Sequence, residues 1–191
     1  MSGKVKLSKE DFATLLQGWF AKFVGREAIE QDAKIHDWTS EEPCWESREA
    51  KQLFGLSLAN LEERTTLFEE LMKLNLWIIV SVCEGKIGNV RKRNECLGIF
   101  HRQLFDQFFR EAGYDFEQWL LALSIRYYQY REALNWPEMK PGTGLMLLGE
   151  AIYRNLHGDV LPGALQNFQI VTYVGTRMEA LGELLNQYEI E

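Results

Sequence analysis

The sequence predicts an all-α protein: a single bundle-like domain of six to eight helices around a buried central helix, with an N-terminal helical extension. Three observations carry this expectation. Apolar residues recur at spacings of three and four along most of the chain, and no stretch alternates convincingly as a strand. Gly, Pro and Asn punctuate the chain at helix-length intervals. One stretch, Leu61 to Val82, begins amphipathic and ends apolar nearly all the way round, interrupted from Leu74 onward only by Asn75 and Ser81. A helix without a polar face must be covered on all sides, so this one is expected at the centre. Its apolar run is too short for a bilayer, which takes about 20 residues.

In chain order, Ser8 followed by Asp11 forms a capping box ahead of Phe12, Leu15, Leu16, Trp19, Phe20 and Phe23. This predicts an amphipathic helix ending near Gly25, whose aromatic stripe packs on the domain or docks a partner. Residues 26 to 42 are polar, with Ile29, Ile35 and Trp38 as scattered anchors. A helix over Cys44 to Phe54 is expected to stop at Gly55. Residues 1–53 are read as the extension and 54–191 as the main helical domain.

Ser57 is a candidate cap for the central helix, which EGKIGN (84–89) ends. Its cover is expected from the helices at 92–112 and 116–135. Leu97, Phe100, Leu104, Phe105, Phe108 and Phe109 mark the first of these, closed by Gly113. Asp115 and Gln118 form a second capping box, followed by Phe116, Trp119, Leu120, Leu123, Tyr127, Tyr130 and Leu134. Thr143 caps a shorter helix ending at Gly158. Pro162 suits the first turn of a last helix carrying Val171, Val174, Met178, Leu181, Leu185 and Tyr188.

Bulk composition bounds the function. Of 191 residues, 46% are hydrophobic, enough for a sizeable core. A net charge of −7 disfavours nonspecific binding to nucleic acid, and no specific DNA binding is expected. The 3 Cys cannot all pair within one chain and none has CxxC spacing, which favours a reducing compartment. The opening MSGKVKLSKEDF lacks the apolar core of a secretory signal and is short and acidic for a mitochondrial presequence.

Chemistry-bearing patterns are sparse. There is no Walker loop, GxGxxG, GxSxG or HExxH, and no Glu three residues before a His. No catalytic residue, metal site or cofactor is therefore expected. His101, on the apolar face of its helix, reads as a satisfied core histidine, and His157 as a helix-end cation. Two polar features remain. Lys86, Arg91, Lys92 and Arg93 form a local basic cluster, either a solvated loop and helix start or a contact for phosphate and anionic surfaces. Arg126, Tyr127, Tyr128, Tyr130 and Arg131 combine residue types favoured at protein interfaces, although half of such a helix must face the core.

From residue 54 onward, four motifs occur in an order that resembles the ubiquinol–cytochrome c chaperone family, assembly factors of the cytochrome bc1 complex. They are FGLSLANLEERTTLFEELMKLNLWIIV (54–80), QLFDQFFREAGYD (103–115), RYYQYREAL (126–134) and AIYRNLHGD (151–159), the last followed by a helix containing Tyr173 and Val174. Two departures stand out. Arg64, Phe68 and Glu69 are more widely spaced than the family's Arg-Phe-Glu start. FEQWLLAL (116–123) replaces a helix start that is usually rich in Lys and Arg.

The resemblance implies a chaperone, not an enzyme, that binds a cytochrome b-like membrane-protein client together with a small helper protein and contacts the membrane or ribosome peripherally. It implies a mitochondrial matrix or inner-membrane-associated location in a eukaryote, and a cytoplasmic one peripheral to the inner membrane in a bacterium. A groove lined by aromatic and Arg residues would hold the client. The matching positions are Arg64, Tyr127, Tyr130, Arg131, Tyr153, Arg154 and Asn155. Arg154 and Asn155 would serve equally to brace neighbouring helices. The alternatives are a permanent helical subunit or interaction module of a larger complex and, further off, a small-molecule enzyme with a deep polar pocket.

Overall fold

The computed structural model describes residues 4–24, 54–55, 61–111, 113–135 and 143–191. Within them the chain is an all-α, bundle-like domain of six helices. These are α1 (Lys9–Val24), α2 (Leu61–Lys86), α3 (Val90–Phe108), α4 (Phe116–Leu134), α5 (Thr143–His157) and α6 (Ala164–Leu185). The helix expected over 44–54 and the domain boundary at 53 fall outside the described residues, apart from Phe54 and Gly55.

Helix boundaries follow local chemistry. The Asp11 amide donates to Ser8 Oγ at 3.0 Å, and the Gln118 amide to Asp115 Oδ1 at 2.9 Å, so Ser8 and Asp115 cap their helices. Asn89 supplies a third cap, accepting from the Lys92 amide at 3.0 Å. After α3 and α5 the chain turns through Gly113 (φ 83°) and Gly158 (φ 70°), a left-handed geometry that a Cβ disfavours. Pro162 does not enter the last helix: Gly163 is the N-cap and α6 begins at Ala164.

Helix α2 is the buried centre. Leu67, Phe68, Leu74, Leu76, Ile78, Ile79 and Cys83 are each fully enclosed. All five other helices touch it, but the closest packing comes from α6 and α1 rather than from α3 and α4. The cause lies in those two partners. Phe12, Ala13, Leu16 and Phe20 of α1 and Ile170, Val174 and Leu181 of α6 turn their apolar faces into the same core. The aromatic stripe of α1 is thus a packing face.

Two short strands, absent from the sequence-based expectation, close the domain. β1 (Val5–Leu7) and β2 (Tyr188–Ile190) pair in parallel, with Val5, Lys6 and Leu7 opposite Tyr188, Glu189 and Ile190. Lys6 and Glu189 are thereby cross-strand neighbours of opposite charge. Each strand has three residues, too few to show a period of two, and their pairing is fixed by the helices they flank.

Close backbone approach sets the α5 position. A Cβ on Gly149 would lie 1.8 Å from Asn167 Oδ1, and one on Gly144 would lie 2.4 Å from the Leu134 carbonyl oxygen. Glycine at these two points lets α5 lie directly against α6 and the end of α4.

Candidate client-binding groove

Among the residues expected at a client surface, those with described side chains do not form one surface. Tyr130 is fully buried, with its ring edge-on to Trp77 at 5.4 Å, and is a core residue rather than a contact group. The reason is a closed circuit of side-chain hydrogen bonds joining α2, α4 and α5. Arg126 donates to Glu70 Oε1 at 2.7 Å and to Gln129 Oε1 at 2.7 Å. Gln129 donates to Asn155 Oδ1 at 3.2 Å, Asn155 to the Tyr130 hydroxyl at 3.4 Å, and Tyr130 to Glu70 Oε2 at 3.4 Å. Lys73 also donates to Glu70 Oε1, at 3.1 Å. Glu70 is 5% exposed, and these bonds replace the water it has lost. Burial, and then the nearby Glu70 charge, push the Tyr130 hydroxyl pKa upward, so it stays a proton donor.

Of the other expected residues, Tyr127 faces α3, where its hydroxyl bonds His101 Nε2 at 3.1 Å. His101 is the satisfied core histidine expected: its Nδ1–H donates to the Leu97 carbonyl at 2.7 Å, which leaves Nε2 to accept from Tyr127. Burial holds its pKa below the usual 6.5 against the opposing pull of the Leu97 carbonyl. Arg131 is tied to Glu84 through both carboxylate oxygens, at 2.6 and 2.7 Å. Tyr153 is buried and stacked on His157 at 4.1 Å. His157 Nε2 bonds the Phe54 carbonyl at 2.6 Å rather than its own helix end. Arg154 is exposed on α5, and the Arg64 side chain lies outside those described.

Each member of the basic cluster is engaged within the chain. Lys86 donates to Asn186 Oδ1 at 3.1 Å, and Lys92 to the Ile190 carbonyl at 3.1 Å, clamping the C-terminal strand. Arg91 pairs with Glu95 at 2.9 Å, and Lys9 reaches the other Glu95 oxygen from α1. These two cations hold the Glu95 carboxyl below its ordinary pKa. Arg93 leans on the Glu84 carbonyl at 3.5 Å. The cluster braces the α2–α3 corner.

An aromatic and Arg-lined groove does exist, along the outer face of α6. It encloses about 420 Å³ and is lined by Phe168, Gln169, Thr172, Tyr173, Thr176, Arg177 and Ala180. Helical spacing explains the set: Phe168, Thr172, Thr176 and Ala180 are four apart and share one stripe, with Tyr173 and Arg177 beside it. The core-facing Ile170, Val174 and Leu181 occupy the opposite side.

Tyr173 is positioned from three directions. The buried Asn75 of α2 donates to its hydroxyl at 3.4 Å, Phe54 meets its ring edge-on at 6.1 Å, and the Arg177 guanidinium sits over the ring at 4.3 Å. The Thr172 hydroxyl is satisfied by the Phe168 carbonyl at 2.8 Å, so the wall it forms is largely apolar. One turn earlier, Leu165 is 72% exposed and Phe168 62%, with Val160 and Leu161 also exposed just before the helix. The sequence signal for this face was the set left over once the heptad-like core stripe of α6 is assigned, together with Tyr173.

Among the described residues, no three His, Cys, Asp or Glu side chains converge to hold a metal ion, and no helix is long and apolar enough to cross a membrane. Cys83 and Cys96 are free thiols, and burial raises the Cys83 pKa to about 12. Compared with known proteins, the chain matches no family model, no curated protein and no solved structure.

Proposed function

We propose that the chain is a non-enzymatic assembly factor that holds an apolar segment of a protein client in the groove on α6. The observation that carries this reading is the groove itself: a preformed, mostly apolar trough on a solvent-facing helix, floored by an immobilised tyrosine ring and flanked by a guanidinium. It continues into Leu165, Leu161 and Val160, large apolar groups left in water at the start of the same helix. An apolar helix or extended segment laid along it would bury this surface. The polar circuit around Glu70 is closed on itself and lines neither this groove nor a second one of about 550 Å³ beside α1. Its role in this account is to fix the helices that carry the groove.

The family resemblance supports a narrower form of the proposal, in which the client is a cytochrome b-like membrane protein held during assembly of the bc1 complex. Removing the chain from its source cell is expected to lower assembled bc1 complex while leaving the other membrane complexes intact. Phe168→Glu, a surface change that spares the core, is expected to reproduce the loss without unfolding the protein. Normal bc1 levels in the deletion would sink the cytochrome b reading.

A further inference from the structure

A second apolar face lies on α4, away from the groove. Leu121, Ile125 and Tyr128 are 62%, 64% and 65% exposed, and their spacing of four and three places them in one line along the helix. Gln118 and Glu132 extend that line by one turn at each end. The flank on one side reads Glu117, Ser124 and Arg131, seven residues apart. This is the pattern of a two-heptad seam with a charged edge.

We propose that this face is where a second copy of the chain docks, α4 against α4 in antiparallel orientation about a two-fold axis at Ser124. The charge order selects that occupant. Antiparallel pairing centred on Ser124 sets Glu117 of each copy opposite Arg131 of the other, so one seam gains two symmetric opposite-charge pairs. The same register brings Leu121 against the turn that carries Tyr128 of the second copy and sets Ile125 next to the axis, as an isologous contact allows.

Two local details fit the crossing. Ser124 is small, and its hydroxyl already donates to the Leu120 carbonyl at 2.8 Å, so the closest point of approach carries no unsatisfied polar group. Arg131 bonds Glu84 through Nη2 alone, which leaves Nε–H and Nη1–H for a second carboxylate. Three large side chains per copy make a small interface, so the dimer is weak and concentration-dependent.

Sedimentation velocity on the full chain, across low to high micromolar concentration, tests this. The expected result is a reversible monomer–dimer equilibrium. Ile125→Glu should weaken it at least tenfold with unchanged helicity and melting temperature. Glu117→Lys should weaken it by placing two cations together, and adding Arg131→Glu should restore it. Ser124→Cys, on a Cys44→Ser background, should give an interchain disulfide on mild oxidation. A chain that stays monomeric throughout, or a dimer indifferent to Ile125→Glu and to the charge swap, overturns the proposal. The seam shares no residue with the α6 groove, so its failure leaves the client-binding reading standing.

Discussion

Helix α4 has two inner faces, and they are held in different ways. Toward α2 and α5 it is anchored by the hydrogen-bonded circuit of Glu70, Arg126, Gln129, Asn155 and Tyr130. Toward α3 it is anchored by rings: Phe105 packs on Trp119 at 5.6 Å and on Phe116 at 5.1 Å, and Phe109 on Trp119 at 5.3 Å. His101 and Tyr127 are the only polar pair in this ring cluster among the described residues, bonded to each other at 3.1 Å. Tyr127 and Tyr130 are three residues apart on one helix and serve opposite interfaces. An aromatic contact tolerates small shifts and contributes through area. A closed hydrogen-bond circuit contributes little net energy, but losing one member strands the others without water. The first kind of interface glues, and the second fixes register.

The largest effect is expected on the aromatic side. Phe105→Ala removes a ring that is 3% exposed and touches three others, and should cost about 3–5 kcal/mol in chemical denaturation. Glu70→Ala should cost somewhat less, about 2–3 kcal/mol, because Arg126 is partly solvated and recovers some hydration. A double variant separates net energy from register. Glu70→Met with Arg126→Met should recover part of the Glu70→Ala loss, since it removes the charges in pairs. No recovery would mean that the circuit contributes net energy rather than register.

Acid should discriminate the two faces next. The folded-state pKa of His101 lies below its unfolded value, so the unfolded chain takes up the proton first as pH falls. The histidine's contribution is therefore intact above pH 6.5 and is lost progressively below it, down to the folded pKa. The slope is at most about 1.4 kcal/mol per pH unit. His101→Asn should flatten urea-derived stability against pH over that window; an unchanged slope would show that another group titrates there. The smallest effect should come from Arg102, whose guanidinium lies 3.4 Å from the Phe116 ring centroid. Arg102→Gln should cost about 0.5–1 kcal/mol.

Sequence patterning carried the fold because helices announce themselves locally. The stripe at Leu97, Phe100, Leu104, Phe105 and Phe108 is buried as its spacing requires, and Ser8 and Asp115 both accept the N-cap bond. What escaped was set by partners distant in the chain. The β1–β2 pair joins segments about 180 residues apart, each too short to show alternation. Tyr130 looks like an interface tyrosine until Glu70 and Asn155 are brought to it from α2 and α5. The basic cluster looks free until Ile190 and Asn186 arrive at Lys92 and Lys86. The groove is not legible in the sequence: the aromatic and Arg surface is expected at Arg64, Tyr127, Tyr130, Arg131, Tyr153, Arg154 and Asn155, whereas Tyr173 and Arg177 lie on a face of α6 that periodicity alone marks as merely solvent-facing.

On the proposed reading, the α6 groove receives an apolar client segment. A photo-crosslinking residue in place of Thr176, with a control in place of the exposed Arg91, tests it directly in the intact cell. Thr176, and not Arg91, is expected to yield an adduct with a newly made membrane protein, identified by mass spectrometry. Adducts from neither position, or equally from both, would contradict it.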